Sequence, residues 1–114
     1  MTHLLLPWPP SANRLWRNVR GRVLISAAGR AHHSAVARVV ASARHGGLGG
    51  HPPMEGRLSV TLDLTPPDRR RRDIDNTIKA TLDACTRAGL WLDDAQIDRL
   101  LVVRGPVAHN AGCV

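Results

Sequence analysis

The chain has 114 residues, enough for one domain with one modest core and no stapling by disulfides. Hydrophobic residues make up 43% and charged residues 22%, the balance of a soluble globular protein. No apolar run approaches the ~18 residues of a membrane span and no charged-then-apolar signal pattern is seen, so neither a membrane span nor secretion is expected. Net charge is +7, from sixteen basic against nine acidic residues, which points to a polyanionic partner and away from acidic or membrane-embedded roles.

In chain order, His3–Leu6 is a short apolar run stopped by Pro7-Trp8-Pro9-Pro10, so a strand is expected to enter a rigid loop that continues to Arg17. Val19 to Ile25 predicts a small hairpin around Gly21. Ser26 is a good N-cap for a helix over residues 27–44, with Ala28, Ala31, Ala35, Val36, Val39, Val40 and Ala43 on its apolar face. Residues 45–56 carry glycines and prolines and read as a mobile loop. Leu58, Val60, Leu62 and Leu64 alternate with polar residues, the pattern of a half-buried strand. A helix is expected over 76–88 with Gly89 as its C-terminal stop, then a strand over 97–104, with Gly105 onward irregular. These elements predict an α+β fold, a mixed β-sheet flanked by two main helices in a single domain spanning residues 1–114.

Cys85 and Cys113 have no zinc-site spacing and suggest no disulfide framework, so a reduced, cytoplasmic setting is the default. The six histidines form no metal-ligand pair and are expected on the surface or facing DNA. Phe and Tyr are absent and there are three Trp, so base stacking is not the main mode of contact; backbone and shape recognition are favoured.

All but one of the basic residues are arginines, and the sole lysine lies in Asp73-Ile74-Asp75-Asn76-Thr77-Ile78-Lys79. Arg69-Arg70-Arg71-Arg72 runs directly before it. Arginine forks grip phosphates, and carboxylates hold hard divalent cations through oxygen. In an extended stretch Asp73 and Asp75 share a face about 6.6 Å apart, close enough to converge on one ion. Asp75 is also a natural N-cap, which would set the ion near a helix end that favours bridging phosphate. Lys79 follows one turn on, and Asp94 arrives from the far side of the helix as a third carboxylate. Three carboxylates without His or Cys favour Mg²⁺ or Mn²⁺ over zinc. The bland alternative is that Asp75 caps, Lys79 pairs with Asp75 and Asp83, Asp93-Asp94 forms a turn, and the arginine run is a solvated face.

The block from Pro66 to Ala80, with Leu82-Asp83-Ala84, Ala88-Gly89-Leu90-Trp91-Leu92-Asp93-Asp94 and Gln96-Ile97, resembles the RusA family of Holliday-junction resolvases. Pro10-Ser11-Ala12-Asn13-Arg14 and Ser26 with Gly29-Arg30 are also similar to that family. The resemblance covers most of the chain. It implies a RusA-like fold and a Mg²⁺-dependent endonuclease of prophage or bacterial origin, acting as a homodimer. Carried over by position, the family's essential aspartates fall on Asp73, Asp75 and Asp94, and its essential lysine on Lys79. Members usually continue past the C-terminal glycines into another strand, whereas this sequence stops at Gly112-Cys113-Val114, so either that strand is expected to be missing or the chain to be a shortened form.

The resulting expectation is hydrolysis of DNA phosphodiesters at a four-way junction by paired symmetric cuts. Asp73, Asp75 and Asp94 hold one or two Mg²⁺ and Lys79 counters charge on the phosphate. Arg69, Arg70, Arg71 and Arg72 grip the backbone, with Asn13, Arg14 and Arg17 a second patch. A homodimer matches a junction with two strands to cut. The rival readings are a nuclease for other branched DNA and a non-catalytic basic DNA-binding protein.

Overall fold

The computed structural model describes residues 3–46, 53–108 and 112–113. The elements are β1 (Leu6–Pro7), α1 (Ala12–Leu15), β2 (Trp16–Val19), β3 (Arg22–Ile25), α2 (Ala27–Gly46), β4 (Leu58–Leu64), α3 (Asp75–Arg87), a one-turn 3-10 helix (Asp94–Gln96), β5 (Ile97–Arg104) and β6 (Gly112–Cys113). One sheet has the order β1-β6-β4-β5; β2 and β3 form a separate two-stranded sheet. The architecture is α+β, as expected.

β4 and β5 organise the rest. The alternation of β4 buries Leu62 and Leu64 and exposes Ser59, Thr61 and Asp63. β5 runs parallel to β4, from Leu58 against Ile97 to Leu64 against Arg104. A parallel pair cannot be closed by a tight turn, so the chain crosses back through α3. β6 lies antiparallel between β1 and β4, which makes the sheet mixed. Against the inner face sit α2 and α3 around an aliphatic core of Leu6, Val36, Val40, Leu62, Leu64, Ala84 and Leu90, closed by Trp91. The indole N–H of Trp91 donates to Thr86 Oγ1 (2.7 Å), so the one large core aromatic leaves no polar atom stranded.

Local signals account for several boundaries. Ser26 Oγ accepts the Gly29 N–H (3.0 Å), an N-cap bond that starts α2 as expected. The same hydroxyl donates to the Arg14 carbonyl, and the Ser26 N–H reaches the Leu15 carbonyl (2.8 Å), tying the helix start to α1. Gly29 is needed there because a Cβ would lie 2.8 Å from the Leu15 carbonyl oxygen and 2.7 Å from Ile25 Cγ1. At the end of α3, Gly89 (φ 79) takes the left-handed conformation. Its N–H reaches the Thr86 carbonyl while that of Leu90 reaches Cys85, a Schellman stop.

Other expectations are corrected. The first strand is only Leu6–Pro7; among the described residues its one strand partner, β6, has two residues. The loop read through Arg17 instead contains α1 and the start of the hairpin, whose two strands extend back to Trp16. Asp75 is not the cap of α3: Ile74 holds that position in helical conformation without a side-chain cap, and Asp75 is the first helical residue. A strand does follow Gly105, since Gly112–Cys113 pairs with both β1 and β4. Of the glycine-rich 45–56 segment, residues 47–52, with His51, lie outside the described residues, as does His109; 45–46 end α2, and Met54 bridges to Trp91.

Histidine placement also differs from the surface role expected. Ala31 is exposed, and the buried stripe of α2 runs Gly29, His32, Val36, Val40. His32 lies in the core with its Nε2 lacking a hydrogen-bond partner among the described residues. Burial, aided by the neighbouring His33, lowers its pKa from 6.5 to about 4. An unfolded chain protonates this imidazole first, so its neutral form contributes stability above pH 6.5 that is lost as pH falls toward 4. The expected loss between pH 7 and 4 is on the order of 2–3 kcal/mol. Melting temperature measured across that range should drop, and His32→Leu should flatten the drop; an unchanged slope in the variant would place the effect elsewhere.

Candidate active site and DNA-facing surface

Pro66-Pro67 ends β4 and sends the chain around a turn organised by Asp68. Its Oδ1 accepts the Arg70 N–H (2.9 Å) and the Arg72 Nη1–H (2.6 Å). These bonds, the one from Arg72 foremost, hold the Asp68 pKa down at about 2. The Arg72 guanidinium also lies over the Trp8 ring, 5.6 Å from its centroid, and the Arg72 carbonyl accepts from Arg104 Nη2 at the end of β5. Arg72 is therefore fixed at both its backbone and its side chain, which is only 24% exposed. Arg69, Arg70 and Arg71 stand exposed around it.

Asp73 follows directly. It lines two adjoining clefts of about 240 and 280 Å³ that share Trp8, Arg72 and Thr77 as walls; Ser11 and Asn76 complete the second. The start of α3 is closed by Asn76 N–H to the Asp73 carbonyl (3.2 Å) and by Thr77, whose N–H and hydroxyl both donate to the Ile74 carbonyl. With Ile74 already helical, Asp73 and Asp75 do not share a face by strand alternation; they flank the first helical turn. Lys79 is exposed one turn on, its Nζ 3.3 Å from Asp83 Oδ2 rather than bonded to Asp75.

Asp94 lies elsewhere. It opens the 3-10 helix, whose N-cap Asp93 accepts the Ala95 N–H (2.8 Å). Gln96 Oε1 accepts from Leu92 and Asp93, while its amide donates to the carbonyls of Met54 and Gly56, just before β4. Arg57 adds bonds to Asp98 and to the Ala95 carbonyl. Asp94 is thus anchored at the start of the β4–β5 pair, whereas the Asp73 loop sits at its finish beside Leu64 and Arg104. The 13 residues of α3 span that separation, roughly 20 Å. Consistent with this, no three Asp, Glu, His or Cys side chains among the described residues stand close enough together to hold a metal ion.

The acids divide into two groups. Asp68, Asp83, Asp93 and Asp98 are occupied by arginine, lysine or backbone N–H groups. The carboxylates of Asp73, Asp75 and Asp94, with those of Glu55 and Asp63, make no hydrogen bond or ion pair among the described residues. Three of these five are the aspartates singled out from sequence. Unengaged carboxylate oxygens are the donor set that suits a hard divalent cation.

The sequence profile of the family described as Endodeoxyribonuclease RusA matches residues 7–111. The chain belongs to the RusA family. It is 48% identical over 108 residues to the crossover junction endodeoxyribonuclease of Enterobacteria phage 82, covering 95% of this chain and 86% of that protein. It is 47% identical over 107 residues to the crossover junction endodeoxyribonucleases of Escherichia coli K12 and Shigella sonnei, covering 94% of this chain and 85% of each. The RusA match spans both the arginine turn and the Asp94 end, so the two separated groups of carboxylates fall within one family unit.

Sequence reading singled out Arg72 but not its anchors, Asp68, Trp8 and Arg104. Asp68 carries a signal, an Asx-type turn residue just past a proline pair; Arg104 carries none. In the second patch Arg14 and Arg17 are exposed, and Asn13 lies in α1, its side chain outside the described set. Asp68→Ala should release both Arg70 and Arg72. Amide hydrogen exchange at Arg70 is then expected to quicken roughly tenfold. An unchanged rate would mean that the turn is held by its other bonds.

Proposed function

We propose that this chain is a divalent-metal-dependent endodeoxyribonuclease that cuts four-way DNA junctions in recombination and repair, acting as a two-fold homodimer. The observation that carries the reading is the arrangement of unengaged carboxylates: Asp73 and Asp75 beside an exposed arginine turn, and Asp94 at the other end of the same crossover. The relatives named as crossover junction endodeoxyribonucleases support the substrate. No helix among the described residues is long and apolar enough to cross a membrane. The same reading makes it a single-domain protein of the cytoplasm, where its DNA would be.

The separation supports dimerisation. β5 is an edge strand with no partner on its outer side among the described residues, and Leu100, Leu101 and Val103 are exposed along it. Antiparallel pairing of β5 with its copy about a two-fold axis sets the start of one strand beside the finish of the other. Asp94 of the partner subunit then faces Asp73 and Asp75, and the dimer has two such sites. A junction has two symmetric strands to cut, which matches.

In each site Asp73 and Asp75, with the partner's Asp94, would hold Mg²⁺ or Mn²⁺. When bound, the ion supplies Lewis-acid polarisation of the scissile phosphate and lowers the pKa of a water. Lys79 leaves Asp83 and places its ammonium against the phosphate oxygens, a compact charge that an arginine fork does not reproduce. Arg69, Arg70 and Arg71 grip flanking phosphates, and Arg72, already oriented by Asp68, presents its remaining donors beside Asp73. Asn13, Arg14 and Arg17 hold a second stretch of backbone.

Cleavage of a synthetic four-way junction against a matched duplex, with Mg²⁺ and with chelator, tests the activity; binding without metal-dependent nicking would make this a DNA-binding protein only. Asp75→Asn and Asp94→Asn should each abolish cutting while keeping junction affinity. Mixing the two inactive proteins should restore single nicks, because a mixed dimer keeps one complete site. About a quarter of wild-type nicking is expected, since half the dimers are mixed and each has one of two sites. A mixture as dead as its parts, despite subunit exchange, would place all three carboxylates in one chain.

The arginine turn makes a separate prediction. Replacing Arg69 and Arg71 by Gln should flatten the dependence of log affinity on log salt by about 0.9 for each phosphate left without its arginine. An unchanged slope would make the run a solvated face.

A further inference from the structure

The β2–β3 hairpin stands apart from the main sheet and, Arg17 aside, has no role in the reading above. Its two-residue turn has both φ values positive, Arg20 at 51° and Gly21 at 77°, the I′ type that suits the twist of paired strands. Its root is rigid: Ser26 bonds back to Arg14 and Leu15, and Gly29 brings α2 into close approach with Leu15 and Ile25. α1, from which the hairpin springs, packs on α3 and follows directly from Ser11 in the cleft wall beside Asp73. The blade therefore projects from the edge of the acidic site.

Its two faces differ. Cross-strand partners share a face, so Trp16, Ile25, Asn18 and Val23 lie on one side, with Arg17, Leu24, Val19 and Arg22 on the other. Large apolar groups are left in solvent: Val23 is 68% exposed, Leu24 46% and Trp16 42%. An isolated two-stranded ribbon is marginal in water and gains nothing by exposing them. The segment that carries the hairpin is wholly cationic, because no acid occurs before Glu55, and Arg14, Arg17, Arg20 and Arg22 are interleaved in sequence with the apolar side chains. A basic frame around an indole fits DNA that presents a base face. Intact duplex hides those faces in its stack; the crossover of a junction exposes base pairs that lack an outer stacking neighbour.

We propose that this hairpin is the element that distinguishes branched from linear DNA, with its arginine face on phosphates and Trp16, flanked by Val23, stacked on an exposed base at the branch point. The inference rests on the junction reading above and assigns it a specificity-determining surface. Affinity comes from arginines that any DNA satisfies. Preference comes from one stacking interaction that only a branch offers.

The test compares a four-way junction with a duplex of the same arm sequence, bound in chelator by the full chain and by Trp16→Ala, Trp16→Phe and Val23→Ser. Trp16→Ala should weaken junction binding about tenfold with duplex binding unchanged, the size expected of removing one base stack. Trp16→Phe should recover much of it. A 2-aminopurine beside the crossover should change its emission with the parent protein and not with Trp16→Ala. Val23→Ser, at a side chain that holds no part of the core, should give a smaller loss in the same direction and keeps the test valid if Trp16→Ala folds poorly. Equal losses on both DNAs, or variants that keep the junction-to-duplex ratio, would overturn the proposal. A fall of the variants to single-copy mass would overturn it too, by giving the apolar face to a second subunit. A parent protein without junction preference would instead overturn the functional reading on which this rests.

Discussion

Everything in this molecule hangs on one topological constraint: β4 and β5 are parallel, so the chain has to travel the length of the sheet between them. α3 makes that journey, and the acids sit where it begins and where it is over. Asp73 and Asp75 mark the departure from β4, while Asp94 marks the entry to β5. A hairpin would have placed both ends of the connection together. The crossover keeps them a helix length apart, and no rotamer change closes such a gap.

Around that frame, charge is distributed with a clear division of labour. Asp68 and Asp93 hold turns through backbone N–H groups, while Asp83 and Asp98 pair with the side chains of Lys79 and Arg57. Asp73, Asp75 and Asp94 are left with open oxygens. Mutual repulsion between Asp73 and Asp75 is tempered by the arginine turn and by the N-terminal end of α3. The same turn is fixed before any ligand arrives, because Asp68, Trp8 and Arg104 hold Arg72 from three sides. Ordering that segment on binding therefore costs little.

Much of this was legible from residue order. The period-two pattern of β4, the Ser26 cap and the Gly89 stop are local signals, and local signals survive into the fold. What failed was long-range. Leu6–Pro7 and Gly112–Cys113 are strands through partners far away in sequence, each other and, for Cys113, Leu64 of β4. Asp75 looked like a cap because Asp is a good one, yet Ile74 had already turned helical, set by the bonds of Thr77 and Asn76. His32 was misplaced because imidazole is usually wet, while its position on α2 faces the core. The distance to Asp94 was invisible because sequence gives the length of a helix but not the direction in which its two strands run.

The outer edge of the sheet sets a limit on growth. Opposite β5 the sheet ends in β1, two residues long, one of them Pro7, which has no N–H to offer, with Pro9 and Pro10 following. A third copy arriving there would find almost no ladder to join. Among the described residues strand addition is therefore open on one side only, and the two-fold pairing proposed through β5 would use up that side. The proposed pairing would terminate at two, and an exposed apolar strand that elsewhere would seed fibres would be confined to a closed pair.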